Sequence, residues 1–133
     1  MKELRHQLRE RRKSVSNPSR KLKGKSILYQ CQKYALFRNA KYVAIFTPND
    51  GEVETENIIN FLNNQGYSVY LPILAGEKLR FAKIGKYFRK NHFGINEPIH
   101  TSLLGAHKID IILMPLVGFD KYKNRLGMGG GFY

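Results

Sequence analysis

Five residues near the end of this 133-residue sequence, Gly127-Met-Gly-Gly-Gly131, put four glycines in five positions, with Arg125 just before them. Glycine tolerates φ > 0 and lets a ligand approach the backbone closely. Successive amide N–H groups in such a turn converge on phosphate oxygens, and a neighbouring guanidinium strengthens the pull. The turn has no following Lys-Ser/Thr, so it is not a P-loop. It does not run from a strand into a long helix, so it is not a dinucleotide-binding turn. By composition alone a flexible tail fits it equally well.

A second group of chemical interest is Asp50, Glu52, Glu54 and Glu56, four of the ten acids. Acids near a helix start favour its dipole, which accounts for Glu54 and Glu56. The basic residues are also unevenly placed. Thirteen of the 23 Lys and Arg lie in the first 41 residues, and the net charge is +13. That balance suits anionic partners: nucleic acid, nucleotide phosphates or a polyanionic cofactor. Arg9, Arg11, Arg12 and Lys13 read as a solvated helix face. His6, His92, His100 and His107 are dispersed without metal spacing, and the lone Cys31 excludes an internal disulfide. No apolar run reaches the length of a membrane helix, and the charged N-terminus is no signal peptide. A soluble cytoplasmic protein is expected.

The elements that must position these groups follow from periodicity. Residues 2–13 read as a charged helix with a narrow Leu4/Leu8 edge. Ser16-Asn-Pro-Ser19 starts a second helix running to about Phe37, with Leu28, Cys31 and Ala35 on one face and Gly24 weakening its first half. Lys41–Phe46 is a buried strand. Residues 54–65 form a helix capped by Thr55 and ended by Gly66. Tyr67–Leu71 is a strand stopped by Pro72, Leu79–Ala82 an edge strand, residues 84–107 irregular, and Asp110–Met114 a last strand. Asp120 is a turn-former. Strand, helix, strand and a later apolar strand favour an α/β sheet with helices on its faces.

The stretch from Asp110-Ile-Ile-Leu-Met-Pro-Leu-Val-Gly-Phe-Asp120 through Asn124-Arg-Leu-Gly-Met-Gly-Gly-Gly-Phe-Tyr133 resembles the 5-formyltetrahydrofolate cyclo-ligases (methenyltetrahydrofolate synthetases). Their pattern is an apolar strand, Pro, a Gly-Phe-Asp turn, then Arg-Leu-Gly-x-Gly-x-Gly-Tyr-Tyr-Asp. Asp50-Gly-Glu-Val-Glu-Thr55, the basic Leu4-Arg5 helix, Leu71-Pro72 and Gly94-Ile-Asn-Glu-Pro98 extend the resemblance over nearly the whole chain. It implies a three-layer α/β sheet with helices on both faces. It also implies an enzyme using ATP and Mg²⁺ to convert 5-formyltetrahydrofolate to 5,10-methenyltetrahydrofolate, expected to work as a monomer. Arg125, Leu126, Gly127, Met128, Gly129, Gly130, Gly131, Phe132 and Tyr133 match the ATP loop, with Arg125 the expected catalytic cation. Met128, Gly129, Gly130, Gly131 and Phe132 also match folate-lining positions, as do Glu52 and Thr47. Arg5 matches an arginine near the ATP phosphates. The family's lysine four residues earlier falls on Met1, so Lys2 is expected to stand in for it. The family's Mg²⁺-ligating Asp would follow Tyr133. A single domain over 1–133, incomplete at its C-terminus and with little or no turnover, is therefore expected. The competing expectations are a basic nucleic-acid-binding module or a non-catalytic remnant.

Overall fold

The computed structural model describes residues 1–84, 88–90, 94–98 and 103–129. Its centre is a four-stranded sheet in the order β3 (Lys78–Lys83), β2 (Ser68–Ala75), β1 (Tyr42–Ala44), β6 (Ile111–Ile112). β1 is parallel to both β2 and β6, and β3 is antiparallel to β2 at the edge. Among the described residues three α-helices accompany it: α1 (Lys2–Lys13), α2 (Asn17–Lys33) and α3 (Glu56–Asn64). Among the described residues there are also two small antiparallel pairs: β4 (Phe88–Lys90) with β5 (Asn96–Pro98), and β7 (Gly118–Phe119) with β8 (Arg125–Leu126).

Strand alternation divides the core into two. Val43, Val69 and Leu71 point to one face and bury against Cys31, Ile58 and Leu62 of α2 and α3. Ala44, Tyr70 and Phe81 point to the other, covered by Leu104, Ile109 and Ile112. The α/β class is as expected. Among the described residues, the α-helical cover lies on one face, while the opposite face is closed by the segment around the 3₁₀ turn Ala106–Lys108. Leu104 also pairs with Phe81, which shields the outer side of β3 from edge-to-edge association.

Residues 84–107, expected to be irregular, contain β4 and β5, and three further departures from periodicity have a clear local reason. α2 ends at Lys33 because Ala35 takes φ +51. The Leu36 amide then donates to Cys31 O and the Ala35 amide to Gln32 O, a left-handed helix end made without glycine. The bend carries Phe37 into the core, where it meets Tyr67 edge-on at 5.9 Å. β2 runs through Pro72 to Ala75, since β1 ends opposite Tyr70 and a missing N–H on that side costs no ladder bond. Thr55 precedes α3 but does not cap it through its side chain; its buried hydroxyl donates instead to Phe46 O at 2.9 Å. That bond fastens the loop after β1 to the helix that returns the chain to β2. Of the two residues that could cap α2, Ser16 and Asn17, the cap is Ser16, accepting from the Ser19 amide at 3.3 Å.

Candidate active site

β1 has β2 on one side and β6 on the other, so the chain diverges at its carboxyl end. Ligands of open α/β sheets bind in the crevice at such a switch point. A cavity of about 400 Å³ lies there, walled by Ile45 and Phe46 after β1, Leu113 and Met114 after β6, and by Arg12 and Glu52.

Glu52 is carried by the loop 47–53. Asp50 (φ +53) and Gly51 (φ +79) turn the backbone left-handed and bring the next carboxylate inward. Its side chain is 10 % exposed. The Asn49 amide donates to Oε1 at 2.9 Å, and Arg12 Nη1 lies 3.9 Å from Oε2. Burial pushes its pKa up, against the Asn49 N–H and the Arg12 charge, which pull it down. A carboxylate held in an apolar cleft with spare acceptor capacity suits a ligand edge rich in N–H donors. Thr47 is half-buried in the same loop but does not line the cavity.

α1 crosses the loops at this end of the sheet with none of its residues buried. Leu8 packs so closely on Gly118 that an added Cβ would lie 2.8 Å from its Cδ1. The other contacts are polar. Arg9 forks onto Asp50, Nε to Oδ2 at 2.9 Å and Nη2 to Oδ1 at 3.1 Å. Arg12 adds 2.9 Å from Nη2 and Lys13 adds 3.2 Å from Nζ. The reading of Arg9, Arg12 and Lys13 as a solvated face is therefore corrected. They are one turn apart on α1, and the left-handed turn at Asp50 presents its carboxylate to all three. The sequence signal was there, in three cations at helical spacing and an Asp-Gly turn, but nothing in it paired them across 37 to 41 positions.

The Arg9 fork, with Lys13, holds the Asp50 carboxyl down to about 2. A depressed carboxyl pKa stabilises the fold above its unfolded value of 3.8, and that contribution is lost as pH falls through about 2. Asp50→Asn should cost about 1–3 kcal/mol at pH 6. Denaturant titrations of both proteins should show that difference shrinking steadily below pH 4. A difference independent of pH would mean the ion cluster is not what the substitution removes.

The glycine turn meets the same face of α1 nearer its start, since Arg5, Arg9 and Arg12 stand on successive turns and Arg12 also reaches Met128. Arg5 Nε donates to Gly127 O at 3.1 Å. Gly129 has φ +93, and a Cβ there would come within 3.5 Å of the Arg5 guanidinium. Arg125 reaches back to Pro115 O through Nε at 2.9 Å and through Nη2. A Cβ on Gly127 would meet Arg125 Nη1 at 2.6 Å, so a side chain there would displace the guanidinium from its place across the turn. Leu126 is half-buried in β8 and its carbonyl accepts from the Val117 amide at 2.8 Å, which fixes the turn beside the β6 loop. Met128 is exposed and touches Arg12 through its sulfur at 3.8 Å. Lys2 is exposed at the start of α1. Gly130, Gly131, Phe132 and Tyr133 lie outside the described residues. Asp120 ties its own turn, accepting from the Tyr122 and Asn124 amides at 2.8 and 2.9 Å. Cys31 is a packed thiol, 7 % exposed, and burial pushes its pKa up.

The fold thus combines an α/β sheet, a mostly buried carboxylate at its switch point and a glycine turn held by two arginines. The profile of the 5-formyltetrahydrofolate cyclo-ligase family matches residues 1–133, and the chain belongs to that family. It is 41% identical over 103 residues to the 5-formyltetrahydrofolate cyclo-ligase of Haemophilus influenzae, covering 72% of this chain and 55% of that protein. Against the Escherichia coli K12 cyclo-ligase it is 33% identical over 133 residues, 95% of this chain and 73% of the relative. The solved Aquifex aeolicus 5,10-methenyltetrahydrofolate synthetase superposes with TM-score 0.85 at 26% identity, over 98% of this chain and 68% of that one. The match to the Haemophilus protein thus spans little more than half of its length. No helix among the described residues is long and apolar enough to cross a membrane.

Proposed function

We propose that this chain binds 5-formyltetrahydrofolate in the Glu52 crevice and ATP against the glycine turn, and converts the folate to 5,10-methenyltetrahydrofolate. The observation that carries the reading is a mostly buried carboxylate lining the switch-point cavity, joined through Arg12 to a glycine turn backed by Arg5 and Arg125. In this reading Glu52 accepts hydrogen bonds from the pterin amino and ring N–H groups. Arg5, Arg125 and the turn's amides attract the triphosphate.

The formamide oxygen of the substrate is a poor leaving group. Transfer of the γ-phosphoryl group to it breaks the bond to ADP and makes a phosphate ester of that oxygen. The N10 lone pair then adds to the formyl carbon and the C–O bond to phosphate breaks. With loss of the N10 proton, this leaves the methenyl bridge and inorganic phosphate. No protein nucleophile is needed; the work is positioning and charge neutralisation. Mg²⁺, when bound with the nucleotide, would offset charge on its phosphates. Among the described residues no three metal-ligating side chains gather, and Asp50 has both oxygens on cations. They form no protein cage for the ion, and the steps assigned here run through protein donors.

Adding 5-formyltetrahydrofolate should raise the thermal midpoint in a concentration-dependent way. With ATP and Mg²⁺ the methenyl chromophore should appear. Absence of both a midpoint shift and a chromophore at millimolar folate would sink the proposal. Steeply salt-dependent oligonucleotide binding in their place would favour a nucleic-acid role.

A further inference from the structure

The guanidinium of Arg12 touches more of this region than any one role requires. Nε donates to the Asp50 carbonyl at 3.0 Å and Nη2 to its carboxylate at 2.9 Å. Nη1 donates to Leu116 O at 3.0 Å, in the segment after β6, and lies 3.9 Å from Glu52 Oε2. Nη2 also meets the Met128 sulfur at 3.8 Å, in the glycine turn. Asp50 is already neutralised by Arg9 and Lys13. Beyond its bond to the Asp50 carbonyl, the contacts that set Arg12 apart from Arg9 and Lys13 are those to Glu52, Leu116 and Met128.

We propose that Arg12 is a positioning residue that couples folate binding at Glu52 to nucleotide binding at the glycine turn. This rests on the reading above, in which Glu52 serves the folate and the turn serves the nucleotide. A guanidinium is planar and rigid, with donors at fixed angles, so its edges cannot be oriented independently. Met128 is 46 % exposed and Gly127 and Gly129 flank it, so the turn loses freedom when a triphosphate seats on it. Ordering Met128 fixes one edge of Arg12, and that sets the opposite edge against Glu52. The ligand that arrives second then meets a side chain already placed and bears less of its ordering cost. Such coupling is positive, and for binding it is reciprocal. A lysine could keep one ionic contact to Asp50 but has no fork to span Leu116, Glu52 and Met128 at once.

Calorimetric titration of the whole chain tests this with 5-formyltetrahydrofolate, with and without a saturating non-hydrolysable ATP analogue and Mg²⁺. In the unaltered protein the analogue should tighten folate binding by about 5- to 20-fold. Arg12→Gln and Arg12→Lys should both bring that factor to within about twofold of one, with each ligand still binding alone. Arg9→Gln, which weakens the same grip on Asp50 without touching Glu52 or Met128, should lower stability and keep the factor. Thus a general loosening of α1 is separated from loss of the Arg12 fork. A factor of one in the unaltered protein, or a full factor in either Arg12 variant, overturns the proposal. So does a loss in Arg9→Gln equal to that in Arg12→Gln. If the unaltered protein binds neither ligand, the folate and ATP reading fails, and the coupling with it.

Discussion

Gly24→Ala is expected to destabilise this protein by about 2–3 kcal/mol, although alanine is the better helix former. On propensity alone the substitution should gain about 1 kcal/mol, because Gly24 sits inside α2. The packing reverses the sign. A Cβ at position 24 would lie 2.2 Å from the Glu54 carbonyl oxygen, and that atom is backbone, which cannot rotate away. Either α2 or the segment before α3 must move by about 1 Å, and overpacking of this kind costs about 1–3 kcal/mol or somewhat more. The thermal midpoint should fall by roughly 6–12 °C. The exposed neighbour Lys25→Ala serves as the control, with a change within about 0.5 kcal/mol. Glu54 is two residues from Glu52, so the displaced segment should also weaken folate binding. A midpoint that rises in Gly24→Ala would show that α2 does not approach the loop this closely.

Glu52→Gln is expected to do two opposite things. Burial raises the Glu52 pKa, the Asn49 N–H and Arg12 lower it, and the net direction is up. For a carboxyl group with a raised folded pKa, the favourable contribution is complete below the unfolded value of 4.5 and is lost as pH rises through the folded pKa. At neutral pH the ionised side chain is therefore a cost to the fold. Glutamine keeps an oxygen for the Asn49 amide and removes that cost. The variant should be more stable than the parent at pH 7 by about 0.5–2 kcal/mol, with the gain vanishing toward pH 4. Folate binding should move the other way, by about 10²–10⁴-fold, because the amide turns a donor toward a ligand edge that needs acceptors. Melts at pH 7 and pH 4, beside a folate titration, read both effects. Loss of stability at pH 7 with folate affinity intact would assign Glu52 to the scaffold and not to the ligand.

What was legible in the sequence is whatever depends on neighbours along the chain. The apolar run around Val43 marked a central strand, Ser16 a helix cap, Gly66 a helix end, and Asp120 a self-tied turn. The resemblance of Arg125-Leu-Gly-Met-Gly to a nucleotide loop was likewise carried by consecutive residues. The end of α2 was not legible, because Ala35 carries no left-handed signature and is driven to φ +51 by the burial of Phe37 against Tyr67. Nor was the passage of β2 through Pro72, which depends on where its neighbour β1 stops.

By itself, then, the sequence determined the α/β class and the order of the main elements, and it pointed to two candidate groups, Glu52 and the glycine turn. Only the tertiary structure decided how they are joined. It set Arg12 between them, gathered Arg9 and Lys13 on Asp50, and made Gly24 a point of contact rather than a weak spot in a helix. The physical reason is range. Capping, turns and periodicity act within a few residues, whereas a charge or a Cβ is judged by what the fold brings against it from far along the chain.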